Sequence, residues 1–139
     1  MCAFYRLDDA LSTAIQLQGQ VGAWCREQGI DPPLALKVGV HHGPAIAMTA
    51  NDHLDYFGRT VNLAARVADQ SRSGDVVLLR DVLDQADQSL VSGHGDISTE
   101  AFTASLRGLA RDQRLVRLAV GSTAPAGLVL SELVTGGRP

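Results

Sequence analysis

The longest periodic segment of the chain, residues 7–28, limits the possible folds more than any other feature. Its apolar residues recur three or four positions apart, the spacing of one face of an α-helix; they are Ala10, Leu11, Ala14, Ile15, Leu17, Val21 and Trp24. Asp8 and Asp9 favour a helix start, and Gly29 is typical of a helix end. A helix with one apolar stripe buries that stripe against a second layer, so we expect a partner sheet.

Short apolar runs between turn residues supply candidates for that sheet. Strands are predicted at 1–5, 34–41, 45–48, 75–79, 101–106 and 115–120. Further helical turns are predicted at 60–69 and 81–86, with loops at 49–54 and 88–100. Because strands and helices interleave and the later strands can pair antiparallel, the pattern predicts one α+β sandwich of the ferredoxin-like kind.

The two ends of the chain differ from its middle. Residues 1–5 read as a buried strand with nothing before it, whereas a native N-terminus is usually polar and frayed, so we expect the sequence to begin in the middle of a fold. The tail, residues 121–139, has one apolar patch at 128–133 between stretches rich in Gly, Pro and Ser. We expect this tail to be either a loosely docked helix or disordered.

Charge and composition argue against several classes of function. The net charge is -3 and the arginines are scattered, so nucleic acid is not an expected partner. Two cysteines are too few for a disulfide framework and lack the companions of a zinc site, which favours a reducing, cytoplasmic location. No apolar run approaches the roughly 18 residues that span a bilayer, so we expect no membrane segment in this chain.

The stretch 55–66, DYFGRTVNLAAR, contains the candidate site. If 60–69 is helical, Asn62 and Arg66 are four residues apart and lie next to each other on one face. Asn62 offers a donor and an acceptor to a sugar or alkoxide, and Arg66 offers a planar fork of donors to phosphate oxygens. A phosphorylated ligand fits such a face near a helix N-terminus, although the same pair also occurs on solvated surfaces.

Two ordered motifs resemble the signature of class III adenylate and guanylate cyclases. Residues 38–43, VGVHHG, are similar to the family's strand ending in Gly-Val/Ile-His-x-Gly, and residues 55–66 are similar to its Asp-x-x-Gly-x-x-Val-Asn-x-Ala-x-Arg. Shorter matches lie at 3–4, 74–78 and 105–108. The resemblance covers residues 1–120 and implies a partial class III cyclase catalytic domain, missing the first strand and helices of that fold.

The resemblance implies a role for each matched residue. Asn62 would orient the ribose or its 3′ oxygen, and Arg66 would neutralise charge on the α-phosphate in the transition state. Asp55 would read the purine: a carboxylate accepts a hydrogen bond from adenine and repels the carbonyl of guanine, so the expected substrate is ATP, converted to cyclic AMP and pyrophosphate. Arg107 would reach terminal phosphates, or would simply be a surface cation.

The two adjacent histidines of the first motif receive no catalytic role. His41 and His42 point to opposite sides of a strand and cannot readily share a metal ion. The resemblance implies that the histidine of this motif is a framework residue. We therefore expect no metal ligand and no proton-transfer group at this position.

The resemblance also implies components that this chain lacks. The family binds two divalent ions, Mg²⁺ or Mn²⁺, through aspartates upstream of the strand matched at 1–5, and the lysine that reads the base with Asp55 lies upstream as well. Its active sites form at a head-to-tail dimer interface, one subunit supplying the metal aspartates and the other the purine-reading and Asn/Arg residues. The expected partner is therefore a second copy or another cyclase subunit, and we do not expect the chain alone to be competent.

Four interpretations remain open at this point. The chain could be a fragment of a full enzyme, or a half-site that complements a metal-binding partner. It could be an inactive homologue that acts as a nucleotide-binding or dimerisation module. It could also be an unrelated ferredoxin-like interaction domain, because fold does not determine function.

Overall fold

The computed structural model describes residues 1–93 and 96–121. Its helices are α1 (Leu7–Gln28), α2 (Arg59–Ala68), α3 (Arg80–Leu83) and α4 (Ser89–Ser92). Its strands are β1 (Lys37–Val40), β2 (Ile46–Ala50), β3 (His53–Phe57), β4 (Asp75–Leu79), β5 (Ile97–Ala104) and β6 (Gln113–Val120). The predicted apolar patch at 128–133 lies outside the described residues.

A mixed four-stranded sheet with the order β1-β4-β6-β5 forms the centre of the described chain. β1 and β4 pair in parallel. Parallel neighbours need a long crossover connection, and α2 lies in the connection between these two strands. The β4–β6 and β6–β5 pairs are antiparallel. Strands β2 and β3 form a separate hairpin. This arrangement confirms the predicted α+β class and the predicted antiparallel pairing of the later strands.

The sheet is covered on both faces by different elements. Val76 and Leu78 of β4 belong to a cluster with α1 and α3, whereas Val77 belongs to a second cluster with Val67 of α2 and Leu106. All five side chains are buried. Burying each of them stabilises the fold by about 1.5–3 kcal/mol. β4 is thus an interior strand whose alternate residues anchor both layers.

Helix α1 has the predicted bounds, but the residues it buries are not all those of the predicted apolar face. Gly29 follows it in the left-handed conformation, with a φ of 63°. Trp24 is 43% exposed, whereas Gln18 is buried and its Nε2 donates to the carbonyl oxygens of Leu36 at 2.9 Å and Asp75 at 2.6 Å. The prediction for Trp24 was wrong because the buried stripe near the end of α1 passes through Cys25 instead.

The predicted strand at 1–5 is also wrong. Residues 1–4 adopt no regular structure, and Met1, Phe4 and Tyr5 are exposed by 78%, 43% and 94%. A strand needs a hydrogen-bonded neighbour, and in the described sheet nothing pairs outside the edge strands β1 and β5. An apolar run predicts a preference for strand geometry but does not supply the neighbour.

Two predicted loops contain regular structure. The segment predicted as loop at 49–54 is the tip of the β2–β3 hairpin, where Asn51 and Asp52 have positive φ angles of 51° and 61°, the geometry of a type I′ turn. The strand predicted at 45–48 corresponds to β2, which pairs with β3. The segment 88–100 contains α4 and the first half of β5. Asn-Asp between two runs of strand residues was the local signal for the hairpin.

Close packing of β1 against α2 determines where α2 lies. A Cβ atom at Gly39 would lie 2.4 Å from the backbone nitrogen of Ala68, closer than real contacts allow. Only glycine permits this approach of strand to helix. The Gly39 of the first motif therefore positions the helix that carries the second motif.

A buried ion pair holds the segment that follows the C-terminal end of α2 to the sheet. Nε of Arg117 donates to Asp75 Oδ2 at 2.7 Å, and Nη2 of Arg117 donates to the carbonyl oxygen of Gln70 at 2.9 Å. The guanidinium lies 4.3 Å from the ring centroid of Phe102, and Ser71 Oγ donates to the same Asp75 carboxylate. These contacts join α2, β4, β5 and β6, and sequence reasoning did not predict them.

Candidate functional site

The start of α2 is held by two segments that precede it in the chain. Gly58 precedes the helix with a φ of 125°, a conformation that essentially only glycine adopts. Thr60 Oγ1 donates to the carbonyl oxygen of Pro44, and the backbone nitrogen of Asn62 donates to the carbonyl oxygen of Gly58 at 3.2 Å. The turn after β1 and the end of β3 therefore meet at the first turn of α2.

A shallow pocket of about 160 Å³ opens beside this helix start. It lies between the end of β1, the first two turns of α2 and the turn that precedes β6. Its lining residues are His41; Arg59, Thr60, Asn62, Leu63 and Arg66; and Gly108 and Leu109. The structure thus brings Asn62 and Arg66 together in one pocket, as their helical spacing predicts.

The guanidinium of Arg66 rests against the turn before β6. A Cβ atom at Gly108 would lie 2.9 Å from Arg66 Nη1, and Gly108 has a φ of 81°. Two arginines, Arg59 and Arg66, are among the described residues that line the pocket, and no carboxylate is. The pocket therefore favours an anion, and a guanidinium fork suits the oxygens of a phosphate.

The other two predicted site residues lie outside this pocket. Asp55 is exposed on β3, opposite Met48, and its Oδ1 accepts a hydrogen bond from the backbone nitrogen of Tyr56 at 2.9 Å. Arg107 is exposed next to Gly108, and its side chain does not line the pocket. The structure therefore separates Asp55 and Arg107 from the Asn62–Arg66 pair within a single chain.

His41 lies in the pocket although the sequence analysis gave it no role at a site. It is half-buried, and its Nδ1 is buried without a hydrogen-bond partner among the described residues. Burial, and secondarily the charge of His42, lower the pKa of His41 below its ordinary value of 6.5. The motif distinguishes His41, its histidine, from His42, its variable position, but only the structure places His41 in the pocket.

An exposed apolar patch lies on the hairpin next to the site. Ile46 and Met48 of β2 and Phe57 of β3 share one face of the hairpin, because directly paired residues project on the same side. Their side chains are 62%, 54% and 46% exposed. A contiguous apolar patch of this kind is typical of an interaction surface.

Neither a metal cluster nor a membrane helix is found in the described part of the chain. Residues 1–93 and 96–121 contain no group of three or more His, Cys, Asp or Glu side chains that could hold a metal ion. No helix among them has the length and apolarity required to cross a bilayer.

Comparison with known proteins identifies what the chain is similar to. The family described as adenylate and guanylate cyclase catalytic domain matches residues 2–108. No curated protein matches the chain. Among solved structures, an adenylate cyclase from Trypanosoma brucei in its monomeric state has a TM-score of 0.54 at 23% identity, covering 86% of this chain and 56% of that one.

Two further structures have the same fold. The adenylyl cyclase CyaB from P. aeruginosa has a TM-score of 0.57 at 20% identity, covering 89% of this chain and 66% of that one. The guanylyl cyclase Cya2 has a TM-score of 0.55 at 16% identity, covering 93% and 68%. This chain therefore spans a little over half to about two thirds of the length of the solved structures it matches.

Proposed function

This chain belongs to the adenylate and guanylate cyclase catalytic domain family, and from that premise we propose that it supplies one half of a cyclase active site. The observation that carries the proposal is the pairing of Asn62 with Arg66 in a pocket lined by cations and by no described carboxylate. The family match removes the interpretation as an unrelated ferredoxin-like domain. The proposed catalytic domain spans residues 1–120, with residues 121–139 as a tail.

The proposed chemistry is positioning and charge stabilisation. Arg66 receives the α-phosphate of a nucleoside triphosphate and stabilises the negative charge that grows on it during transfer, while Asn62 orients the ribose and its 3′ oxygen. Arg107, exposed beside the pocket, reaches the terminal phosphates. The products are a cyclic nucleotide and pyrophosphate.

ATP is the proposed substrate, with cyclic AMP as product. The matched structures include both adenylyl and guanylyl cyclases, so the preference rests on Asp55 alone. A carboxylate accepts a hydrogen bond from the amine of adenine and repels the carbonyl of guanine. Asp55 lies on the hairpin face that also carries Met48, so a purine bound by Asp55 would lie at the edge of this chain rather than in its core.

A partner subunit is part of the proposal. The exposed hairpin face carries Ile46, Met48 and Phe57, and covering it with a second cyclase subunit would bury the patch.

The Mg²⁺ or Mn²⁺ of the family does not fit the described residues of this chain, which contain no metal-binding cluster. We therefore assign no step to a metal held here, and propose that such ligands come from the partner or from another segment. Cys2 and Cys25 are unpaired, which is compatible with a cytoplasmic location.

Complementation tests the proposal directly. Cyclic AMP formation from ATP with Mn²⁺ is measured for the chain alone and for the chain mixed with a cyclase that lacks its own Asn and Arg but keeps its metal aspartates. We expect activity in the mixture only. Asn62→Ala or Arg66→Ala should then reduce that activity by about 10²-fold or more, because each removes a contact to the transition state.

A matched control separates catalysis from folding. Arg72 is an exposed arginine that pairs with Glu100 at 3.4 Å, away from the pocket, so Arg72→Ala should leave complementation unchanged. Equal losses in the Arg66→Ala and Arg72→Ala variants would contradict the proposed role of Arg66.

A second function is favoured by one observation, the lack of a metal-binding cluster among the described residues. In that case the chain is an inactive homologue that binds nucleotide or only dimerises. The mixture would then form no cyclic AMP. A homologue that binds nucleotide would still bind a fluorescent ATP analogue and lose affinity in the Arg66→Ala variant, whereas one that only dimerises would not bind it.

A further inference from the structure

We propose that His41 is a third ligand-binding residue of the pocket, its Nε2–H donating to an oxygen of the anion that Arg66 receives. The inference rests on the proposed function, in which that anion is the phosphate chain of a nucleotide. It goes beyond the family motif, from which only a framework role for His41 follows.

The hydrogen bonding of the ring determines which nitrogen carries the proton. Nδ1 of His41 is buried and has no partner among the described residues. A proton on Nδ1 would be a buried donor without an acceptor, which is unfavourable, so the neutral ring places its proton on Nε2. Since Nδ1 is the buried nitrogen and His41 lines the pocket, Nε2–H is the donor assigned to a ligand there.

The surroundings of the ring are cationic. The charged groups that face the pocket from α2 are Arg59 and Arg66, and the turn before β6 contributes Gly108 and Leu109, neither of which titrates. His42 is the titratable neighbour in the same segment. Nothing anionic lines the pocket in the described chain, so no group there favours the charged imidazole when the pocket is empty, and a bound anion is the group that would favour its protonation.

This arrangement predicts anion binding that strengthens on acidification. Protonation adds the second proton at Nδ1, and burial lowers the pKa of His41 in the empty pocket; a bound dianion raises that pKa, so by linkage a falling pH raises the affinity. The affinity should begin to rise as the pH falls through the pKa of His41 in the anion-bound state, and should level off below its pKa in the empty pocket, which is lowered from about 6.5. Each unit by which the anion raises this pKa corresponds to about tenfold in affinity, so we expect about a threefold or larger increase between about pH 7.5 and about pH 5.

Sulfate is a suitable probe because its charge is constant over this range. Binding of sulfate to the full chain is followed by NMR titration at a series of pH values. Arg66→Ala should abolish binding at every pH. His41→Leu should weaken binding at neutral pH and remove the acid enhancement. His41→Gln, whose amide can still donate, should keep the neutral-pH affinity but lose the enhancement.

A neighbouring histidine provides the matched control. His42→Gln should keep the enhancement and move it to higher pH, because it removes one of the two causes that lower the pKa of His41. If the His41→Leu variant retains the same pH dependence as the wild type, the inference is overturned. Because sulfate binding needs no nucleotide and no partner, failure here is distinguishable from failure of the proposed cyclase function, which only the complementation assay reports.

Discussion

At the residue scale, the position of one guanidinium depends on a glycine across the pocket. Gly108 has a φ of 81°, and a Cβ there would lie 2.9 Å from Arg66 Nη1. Gly108→Ala should therefore cost about 1–2 kcal/mol of stability from backbone strain and also displace Arg66. We expect a weaker affinity for sulfate and a lower activity in complementation, measured alongside urea unfolding.

Gly74 offers a control, because its φ angle is also positive but no atom lies near the position of an added Cβ. Its φ is 78°, and a Cβ there would meet nothing within 4 Å. Gly74→Ala should reduce the free energy of unfolding by about as much, roughly 1–2 kcal/mol, yet leave sulfate binding intact. If both variants bound sulfate as the wild type does, Gly108 would have no part in placing Arg66.

At the element scale, the ion pair of Arg117 with Asp75 ties the segment that follows α2 to the sheet. The side chains are 7% and 3% exposed. Arg117→Met should reduce the free energy of unfolding by about 3–5 kcal/mol, because it leaves the Asp75 carboxylate buried without its partner. Urea unfolding followed by circular dichroism measures this loss, and adding Asp75→Asn should recover part of it.

Glu100 provides the comparison, because two arginines contact one of its carboxylate oxygens. Arg72 and Arg117 both contact Glu100 Oε2, at 3.4 Å and 3.2 Å, but the Arg72 side chain is 69% exposed. Arg72→Ala should cost less than about 1 kcal/mol, since exposed ion pairs contribute little. Similar losses for Arg72→Ala and Arg117→Met would mean that burial does not set the strength of this network.

At the scale of the whole molecule, the β2–β3 hairpin should affect association more than folding. Ile46 and Met48 are 62% and 54% exposed, so the double variant Ile46→Thr, Met48→Thr should change the free energy of unfolding by less than about 1 kcal/mol. We expect it to weaken binding to a cyclase partner, measured by sedimentation velocity, and to reduce complementation in proportion.

An exposed leucine outside the hairpin tests the specificity of that effect. Leu34 is 59% exposed in the segment before β1, and Leu34→Thr should leave association unchanged. Unaltered partner binding in the hairpin double variant would contradict the assignment of this face to the interface. Weaker partner binding in both the hairpin double variant and Leu34→Thr would mean that any exposed apolar side chain contributes to association, which would also contradict the assignment.

Much of the local structure could be predicted because its signals lie close together in the chain. The predicted bounds of α1, Leu7–Gln28, and of β4, Asp75–Leu79, agree with the structure. Both elements are defined by apolar spacing and flanking glycines within a few residues. The same locality made the proximity of Asn62 and Arg66 predictable, since residues four apart on a helix are always neighbours.

The sequence by itself thus determined the identity of the main elements, the family and the Asn62–Arg66 pair. Only the tertiary structure decided what each element meets. It left residues 1–5 without a strand partner, paired Asp75 with Arg117 from 42 residues away, held Asp55 apart from the pocket, and placed His41 within it. The physical reason is that these outcomes depend on contacts between segments distant in sequence, and such contacts leave no periodic or local pattern in the chain.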